Sequence, residues 1–183
     1  MIYGMTGLKF SGKDTVGNAI INAHRYNGKR AERVLFAGAL KNACCAMFGW
    51  TREQLEDYDF KETPEPITGK TPRLILQLMG TDFGRDMLHP ELWLRILAAD
   101  VERMTTNGIT PVITDVRFEN EADFVRARGG KLIHVVNPET VSQTDGHASE
   151  KGVEFKDGDI LFVNDKSAGL QPITDFASRL IRP

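Results

Sequence analysis

The sequence opens with a short apolar run that leads directly into a glycine-flanked loop containing a lysine. The run is Met1–Met5, and residues 7–15 of the loop read Gly-Leu-Lys-Phe-Ser-Gly-Lys-Asp-Thr. Glycines near both ends of such a loop allow consecutive backbone N–H groups to turn towards one point, where an anion binds. The pattern therefore predicts a phosphate-binding loop between a first strand and a first helix.

Lys13 adds a full positive charge to this loop, and the helix that follows directs the positive end of its dipole at the same anion. The usual pattern has Ser or Thr directly after the lysine. Here residue 14 is Asp, and the hydroxyl group comes one place later, at Thr15. Both side chains offer the hard oxygen ligands that Mg²⁺ accepts, so we expect them to hold a magnesium ion directly or through water.

Composition excludes several classes of protein. The chain of 183 residues is 41% hydrophobic and 26% charged, which is typical of one globular domain with a substantial core. A net charge of −2 without a basic run argues against nucleic-acid binding. No apolar run approaches the roughly 20 residues of a membrane span, and no charged leader precedes the first strand, so we expect a cytoplasmic protein.

The cysteines and histidines do not indicate a metal or disulfide site. Cys44 and Cys45 are adjacent in a helical pattern, where they are expected to be reduced and to pack in the core. The four histidines share no metal-ligand spacing, which argues against structural zinc.

Apolar strand-like runs alternate with helical patterns along the chain, which predicts an α/β fold with a parallel sheet covered by helices on both faces. A second strand is predicted at residues 33–36, and a helix starting at Thr71-Pro72 is predicted to end at Gly80, before a polar segment at residues 81–86. Residues 50–72 are interpreted as an excursion that closes over a substrate. Residues 139–158 are either a mobile flap or a solvated connection.

A buried strand is predicted to end in a carboxylate at Asp115. Because ligands bind at the carboxyl ends of parallel strands, Asp115 is expected beside the phosphate loop, where it can bind magnesium or its waters. Arg117 is expected at the mouth of the same crevice. Arg126 and Arg128 either reach the transferred phosphate, if the next helix moves, or decorate the outer face of that helix, and the second interpretation is favoured.

Three more residues have two interpretations each. Lys41 either binds a second phosphate or is a solvated lysine. Arg85 either clamps a phosphate through its planar fork of donors or pairs with Asp82 or Asp86 at the surface. Trp93 either stacks on a nucleobase or packs in the core, and its helical pattern favours the core.

These motifs together resemble the deoxynucleoside monophosphate kinases of tailed bacteriophages, within the P-loop nucleoside monophosphate kinase group. The Asp14-Thr15 ending is similar to that family's form of the loop. The motifs that carry the resemblance are residues 11–15 (Ser-Gly-Lys-Asp-Thr), 36–41 (Phe-Ala-Gly-Ala-Leu-Lys), 80–82 (Gly-Thr-Asp) with Arg85 and Trp93, and 114–121 (Thr-Asp-Val-Arg-Phe-Glu-Asn-Glu).

The resemblance implies a three-layer P-loop kinase fold in one domain, residues 1–183, with an acceptor-binding insertion at 50–90 and a flap at 139–158. It implies transfer of the γ-phosphoryl group of ATP to a deoxynucleoside 5′-monophosphate with Mg²⁺, in the host cytoplasm if the protein is viral. The oligomeric state is left open between monomer and homodimer. The implied ATP-binding residues are Gly7, Lys9, Phe10, Ser11, Gly12, Lys13, Asp14 and Thr15. The implied metal-binding residues are Asp14, Thr15 and Asp115. The implied acceptor-binding residues are Lys9, Lys41, Arg85, Trp93, Asp115, Arg117 and Glu121.

Lys13, Arg85 and Arg117 are the catalytic candidates, because their charges would neutralise the group in transfer. Two alternatives stay open. One is a P-loop kinase for another acceptor, of the dephospho-coenzyme A, phosphomevalonate or shikimate type. The other is a nucleotide-binding switch that hydrolyses ATP slowly and acts through a partner.

Overall fold

The computed structural model describes residues 1–140 and 152–182. The centre of the predicted flap therefore lies outside the described residues. The chain divides into two compact units, one comprising Met1–Leu35 with Ala98–Pro183 and the other Phe36–Leu97. Of the helices in the described ranges, none has both the length and the apolar character needed to cross a bilayer.

The described residues form a parallel sheet of five strands, which belongs to the larger unit. The order across the sheet is β2-β3-β1-β4-β5, and every neighbouring pair is parallel. The predicted α/β fold with a parallel sheet is confirmed. The strands are β1 (Tyr3–Thr6), β2 (Arg30–Val34), β3 (Ile109–Ile113), β4 (Lys131–Val136) and β5 (Ile160–Val163). The α-helices are α1 (Lys13–Tyr26), α2 (Gly38–Phe48), α3 (Tyr58–Glu62), α4 (Pro72–Gln77), α5 (Leu92–Thr106), α6 (Glu119–Ala127) and α7 (Gln171–Leu180).

Helices cover both faces of this sheet. On one face, α1 and α7 pack over a core that includes Met5, Val16 and Ile133, each 0% exposed. On the other face, α6 lies so close that a Cβ on Gly4 of β1 would be 2.9 Å from Val125 Cγ2. Burial on both faces explains why the centres of these strands are mostly apolar.

The strand order places the functional loops. β1 lies between β3 and β4, and Gly4 pairs with Ile113 near the carboxyl end of β3. The connection from β1 runs to β2, towards one edge of the sheet, and the connection from β3 runs to β4, towards the other edge. The direction of the connections therefore reverses between β1 and β3. Ligands of open α/β sheets bind in the crevice at such a reversal.

The position of the second strand was predicted wrongly. The sequence indicated residues 33–36, whereas β2 runs from Arg30 to Val34. β2 is an edge strand that pairs only with β3, and of its five residues only Ala31 is buried. A strand with one buried residue lacks the apolar signal on which the prediction depended.

Arg126 is a second wrong prediction, because its side chain is only 17% exposed. Nε and Nη2 donate to the two carboxylate oxygens of Asp159, at 3.1 and 2.7 Å, and Nη1 donates to Glu119 Oε1 at 2.7 Å. Lys156 Nζ also pairs with Asp123, at 3.1 Å. These five residues, which we call the α6 clamp, hold the segment before β5 against α6.

Asp159 is the buried centre of the clamp, with a side chain that is 2% exposed. Burial alone would raise the pKa of this carboxyl, but hydrogen bonds from Arg126, from the Lys156 backbone N–H and from His134 outweigh that effect and lower the pKa to about 2. The Arg126 pKa is raised in turn, mainly by its hydrogen bonds to Asp159. Asp159 is therefore ionised throughout the neutral range.

His24 is a buried titratable group in the core beside Tyr3. The residue is 5% exposed, and neither ring nitrogen has a hydrogen-bond partner among the described residues. Burial lowers the pKa of His24 below its ordinary 6.5, and the nearby charges of Lys29 and the N-terminal amine lower it further. The folded protein therefore holds His24 in its neutral form.

We expect the free energy of unfolding to fall as the pH drops below about 6.5, because the unfolded chain then takes up a proton that folded His24 resists. A His24→Leu variant should lose this component and should be no less stable than wild type at pH 8, since it removes two buried polar atoms without partners. Urea unfolding at pH 5.5 and pH 8 measures both effects. The same pH dependence in both proteins would contradict this account.

The smaller unit is helical, and the prediction that helical structure ends at Gly80 is wrong. After α4 the chain continues through Gly80 as a π-helix, Leu78–Leu88. Gly84 lets the Trp93 ring pack against this helix, since a Cβ there would be 2.6 Å from Trp93 Cζ2.

Cys44 packs with Leu40 and Ile75 at 0% exposure, as predicted for a core cysteine.

A loop at residues 63–70 of the smaller unit is organised around Glu65, which is 6% exposed. Its carboxylate accepts hydrogen bonds from Ile67 N at 2.9 Å, from Thr68 N at 2.5 Å and from the Thr68 hydroxyl group. Burial raises the pKa of Glu65, but these donors outweigh burial and hold the pKa below its usual value. The loop thus has a fixed local structure of its own.

Candidate active site

Residues 7–15 form a tight loop between β1 and α1. Gly7 and Gly12 have φ angles of 144° and 98°, which side chains rarely tolerate. A Cβ on Gly7 would lie 2.2 Å from the Val135 carbonyl oxygen, and one on Gly12 would lie 2.2 Å from Asn164 Nδ2. Both glycines are therefore required by the backbone conformation and by close neighbours.

The Lys13 side chain folds back over the loop. Its Nζ donates to the carbonyl oxygens of Gly7 and Leu8, both at 2.6 Å. Lys13 is also the first residue of α1, and the N-cap residue Gly12 has no side chain to accept from the first-turn amides. The loop thus combines an ammonium group with the positive end of a helix dipole, as an anion site requires.

Phe10 is the strained residue of the loop. Its φ of 63° is in the left-handed region, which non-glycine residues seldom occupy. The ring is 53% exposed, and Lys9 Nζ lies 5.1 Å from its centroid. Strained residues of this kind cluster at active sites and ligand-binding loops.

The tip of β3 is joined to the phosphate loop. The Thr114 hydroxyl group donates to Asp14 Oδ1 at 2.8 Å, and the Val116 N–H donates to the Met5 carbonyl oxygen at 3.2 Å. Asp115 lies between these two anchored residues. The structure therefore places Asp115 at the same sheet edge as the loop.

Asp14 has a second partner in Arg33, near the end of β2. Arg33 Nη1 lies 3.2 Å from Asp14 Oδ1. Both side chains are substantially exposed, so the ion pair itself adds little stability. Its effect is on orientation, because Arg33 and Thr114 hold the same carboxylate oxygen from two strands.

Glu121 shapes the chain after Asp115. It is 2% exposed, and its Oε2 accepts from the backbone N–H groups of Arg117 at 2.8 Å and Phe118 at 3.2 Å. These contacts start α6 and leave Arg117 exposed at the sheet edge. The contact of Glu121 with base or sugar, which the resemblance implied, stays a prediction.

Lys41 and Arg85, which both belong to the smaller unit, have contacts there. Lys41 Nζ pairs with Glu56 at 2.6 Å. Arg85 is 9% exposed, and its Nη1 donates to the Pro90 carbonyl oxygen at 3.1 Å. The interpretation of Arg85 as a surface residue is therefore wrong. The roles of both cations towards a phosphate stay predictions.

The packing interpretation of Trp93 is confirmed. Its ring packs against the cluster around Leu40, its edge lies over Gly84, and Nε1 donates to the Gly80 carbonyl oxygen at 2.7 Å. These contacts fix the indole against the π-helix. Stacking of the same ring on a base stays a prediction.

Comparison with known proteins decides the family. The family model described as deoxynucleotide monophosphate kinase matches residues 70–171. The chain is also 36% identical to a putative deoxynucleotide monophosphate kinase of Acanthamoeba polyphaga mimivirus, over 99% of this chain and 94% of the viral protein.

The chain belongs to the deoxynucleotide monophosphate kinase family. It is therefore a kinase whose substrates are nucleotides. Two phage members match part of it. The deoxynucleotide monophosphate kinase of Enterobacteria phage T4 is 32% identical over 52% of this chain, and the deoxynucleoside-5′-monophosphate kinase of Escherichia phage T5 is 36% identical over 47%. The matches span 39% and 36% of those two proteins, well under half of their length.

Three side-chain contacts with the loop of this kinase were not predicted from the sequence. Thr114 and Arg33 hold Asp14, and Asn164 touches the phosphate loop from the end of β5. The position of Thr114 directly before Asp115 at a strand end was a usable signal. Arg33 and Asn164 gave none, because each reaches the loop from a strand distant in sequence.

Proposed function

We propose that this kinase transfers the γ-phosphoryl group of ATP to a deoxynucleoside 5′-monophosphate, giving the diphosphate and ADP. The observation that carries the proposal is the hydrogen bond between Thr114 and Asp14, which joins the phosphate loop to the acidic tip of β3. Phosphoryl transfer needs an anion cradle and an acidic metal-binding residue side by side. Membership of the family supports the choice of acceptor.

The donor is assigned to the phosphate loop. The backbone N–H groups of residues 7–15 and the Lys13 ammonium would hold the β- and γ-phosphates, with Lys9 and Phe10 at the exposed side. Lys13 already lies in the loop, so its charge needs little reorganisation when the phosphates bind. A pre-placed charge is most effective where negative charge develops in the transition state.

The residues at this edge suit a magnesium ion. Asp14, Thr15 and Asp115 offer carboxylate and hydroxyl oxygens, the donor set that Mg²⁺ prefers. The Asp14 side chain is 67% exposed although one oxygen is already bonded, so the other is accessible to an ion or its waters. The ion would neutralise charge on the β- and γ-phosphates.

The acceptor phosphate is assigned to Arg117, Lys41 and Arg85. Because that phosphate is already an anion, no general base is required. Trp93 and Glu121 are assigned to the base and the sugar of the acceptor nucleotide. Residues 50–90 would form the acceptor-binding insertion of a single kinase domain, and closure of residues 50–72 over the substrates would exclude water and prevent ATP hydrolysis.

An acceptor panel tests this function. ADP release from ATP and Mg²⁺ should be strongly stimulated by at least one of the four deoxynucleoside monophosphates, compared with a reaction without acceptor. Dephospho-coenzyme A, phosphomevalonate and shikimate should not stimulate it. Stimulation by one of those compounds instead, or ATP hydrolysis that no acceptor changes, would refute the proposal.

A further inference from the structure

Asn164 is a buried polar residue directly after β5, and its side chain contacts the phosphate loop. It is 5% exposed, and its Nδ2 donates to the Ser11 carbonyl oxygen at 2.8 Å, across 153 positions of sequence. Its own backbone N–H donates to the Val136 carbonyl oxygen at 2.8 Å. The amide group is thus fixed by the sheet on one side and directed at the loop on the other.

This hydrogen bond determines how one peptide group of the loop is oriented. The peptide between Ser11 and Gly12 is planar and trans, so its C=O and N–H point in opposite directions. With the carbonyl oxygen held by Asn164, the Gly12 N–H must point away from Asn164. If this peptide turned over, a carbonyl dipole would replace an amide N–H on that side, and a carbonyl oxygen repels phosphate.

Gly12 and Asn164 also fit each other sterically. A Cβ on Gly12 would lie 2.2 Å from Asn164 Nδ2, which is closer than packed atoms allow, and 3.3 Å from its Cγ. The φ of 98° at Gly12 is the conformation in which this contact forms. The side chain of Asn164 therefore limits both the position and the rotation of the loop at Gly12.

We propose that Asn164 is a positioning residue for the donor triphosphate, which acts by holding the Ser11–Gly12 peptide in its anion-binding orientation. The inference rests on the proposed function, in which this loop binds the phosphates of ATP. It assigns Asn164 no contact with the substrate. Its effect reaches the triphosphate through the Gly12 N–H alone.

The test is to separate phosphate binding from base binding in two variants. Asn164→Asp keeps the shape but sets a carboxylate oxygen against the Ser11 carbonyl oxygen, and Asn164→Ala removes the donor. Calorimetric Kd values are measured for ATP, adenosine and inorganic tripolyphosphate, with kcat and KM for ATP and for the acceptor. Thermal unfolding without ligand reports on folding. Asp165→Ala is the matched control, since the carboxylate of the neighbouring Asp165 accepts from Ser167, and its hydrogen-bond partners among the described residues do not include the loop.

We expect both variants to bind ATP and tripolyphosphate about tenfold or more weakly, the size of effect given by the loss of a buried hydrogen bond. Adenosine binding and the KM for the acceptor should stay within about twofold of wild type. Asn164→Asp should be the more affected, because it adds repulsion. The control should match wild type in every ligand-binding and kinetic measurement.

Three results would overturn the inference. The first is unchanged affinity for both phosphate ligands. The second is an equal loss of adenosine affinity, which would make Asn164 a base contact. The third is a lower unfolding temperature with no change in ligand binding. If either Asn164 variant fails to fold, Gly12→Ala tests the same contact from the loop and should give the same ligand pattern. A wild-type protein that binds ATP but phosphorylates no deoxynucleotide would refute the proposed function and leave this inference standing.

Discussion

Replacement of Lys13 by alanine should lower kcat for phosphoryl transfer by about 10³-fold, with little change in the stability of the fold. The ammonium group lies over the loop, where it is bonded to the Gly7 and Leu8 carbonyl oxygens at 2.6 Å. In the proposed function, this ammonium group neutralises the negative charge that spreads over the phosphoryl group during transfer. Stability should change little, because these contacts lie in a loop and not in the core.

Turnover is measured as ADP release with saturating ATP and the preferred acceptor, and folding by thermal unfolding without ligand. Lys29→Ala is a suitable control, since Lys29 is an exposed lysine of the same unit that lies beyond the end of α1. That control should keep wild-type kcat. If Lys13→Ala also retained turnover within about threefold of wild type, the loop would not be the site of transfer.

Replacement of Arg126 by methionine should lower the free energy of unfolding by about 3 kcal/mol. This is the largest stability effect among the substitutions that we propose. Methionine keeps the apolar stem of the side chain but removes both hydrogen bonds to Asp159, whose carboxylate is 2% exposed. A buried charge without its counter-charge is costly. Urea unfolding at pH 7 measures the loss, and Arg103→Met, which breaks an exposed pair with Asp100, should cost less than about 1 kcal/mol.

Acid unfolding provides a second test of the same clamp. The pKa of Asp159 is about 2 in the folded protein, below its ordinary 3.8. The ionised Asp159 carboxylate therefore contributes its full stabilisation at pH values well above 3.8. This contribution is lost as the pH falls from about 5 towards 2. In Arg126→Met the folded pKa should rise, and the stability should depend less on pH over this range. An unchanged slope would mean that Arg126 does not stabilise the Asp159 carboxylate.

The sequence was sufficient for the parts of the site that are local. The phosphate loop is a run of nine residues in which glycine and lysine have defined physical roles, and Asp115 comes two residues after β3. Since parallel strands end at one edge, their adjacency followed from topology alone. The order of strands and helices was likewise readable, because the central strands are buried on both faces and have mostly apolar centres.

The missed features depend on contacts between distant positions. Arg126 looked like a surface residue of α6, although the chain before β5 places Asp159 beside it, and no local signal linked Asn164 to the phosphate loop. The π-helix was hidden because Gly80 and the polar residues after it are normally helix-ending signals. There the Trp93 ring, packed on Gly84 and bonded to the Gly80 carbonyl oxygen, outweighs local propensity.

The loop around Glu65 would affect the affinity for any ligand that it contacts. A segment rich in proline and charge usually becomes ordered only when a ligand arrives, and that loss of freedom is subtracted from the affinity. Residues 63–70 instead fold on their own carboxylate, with three donors already in place. Any ligand that this segment contacts meets a rigid surface, and the entropic penalty of shaping it has been met during folding.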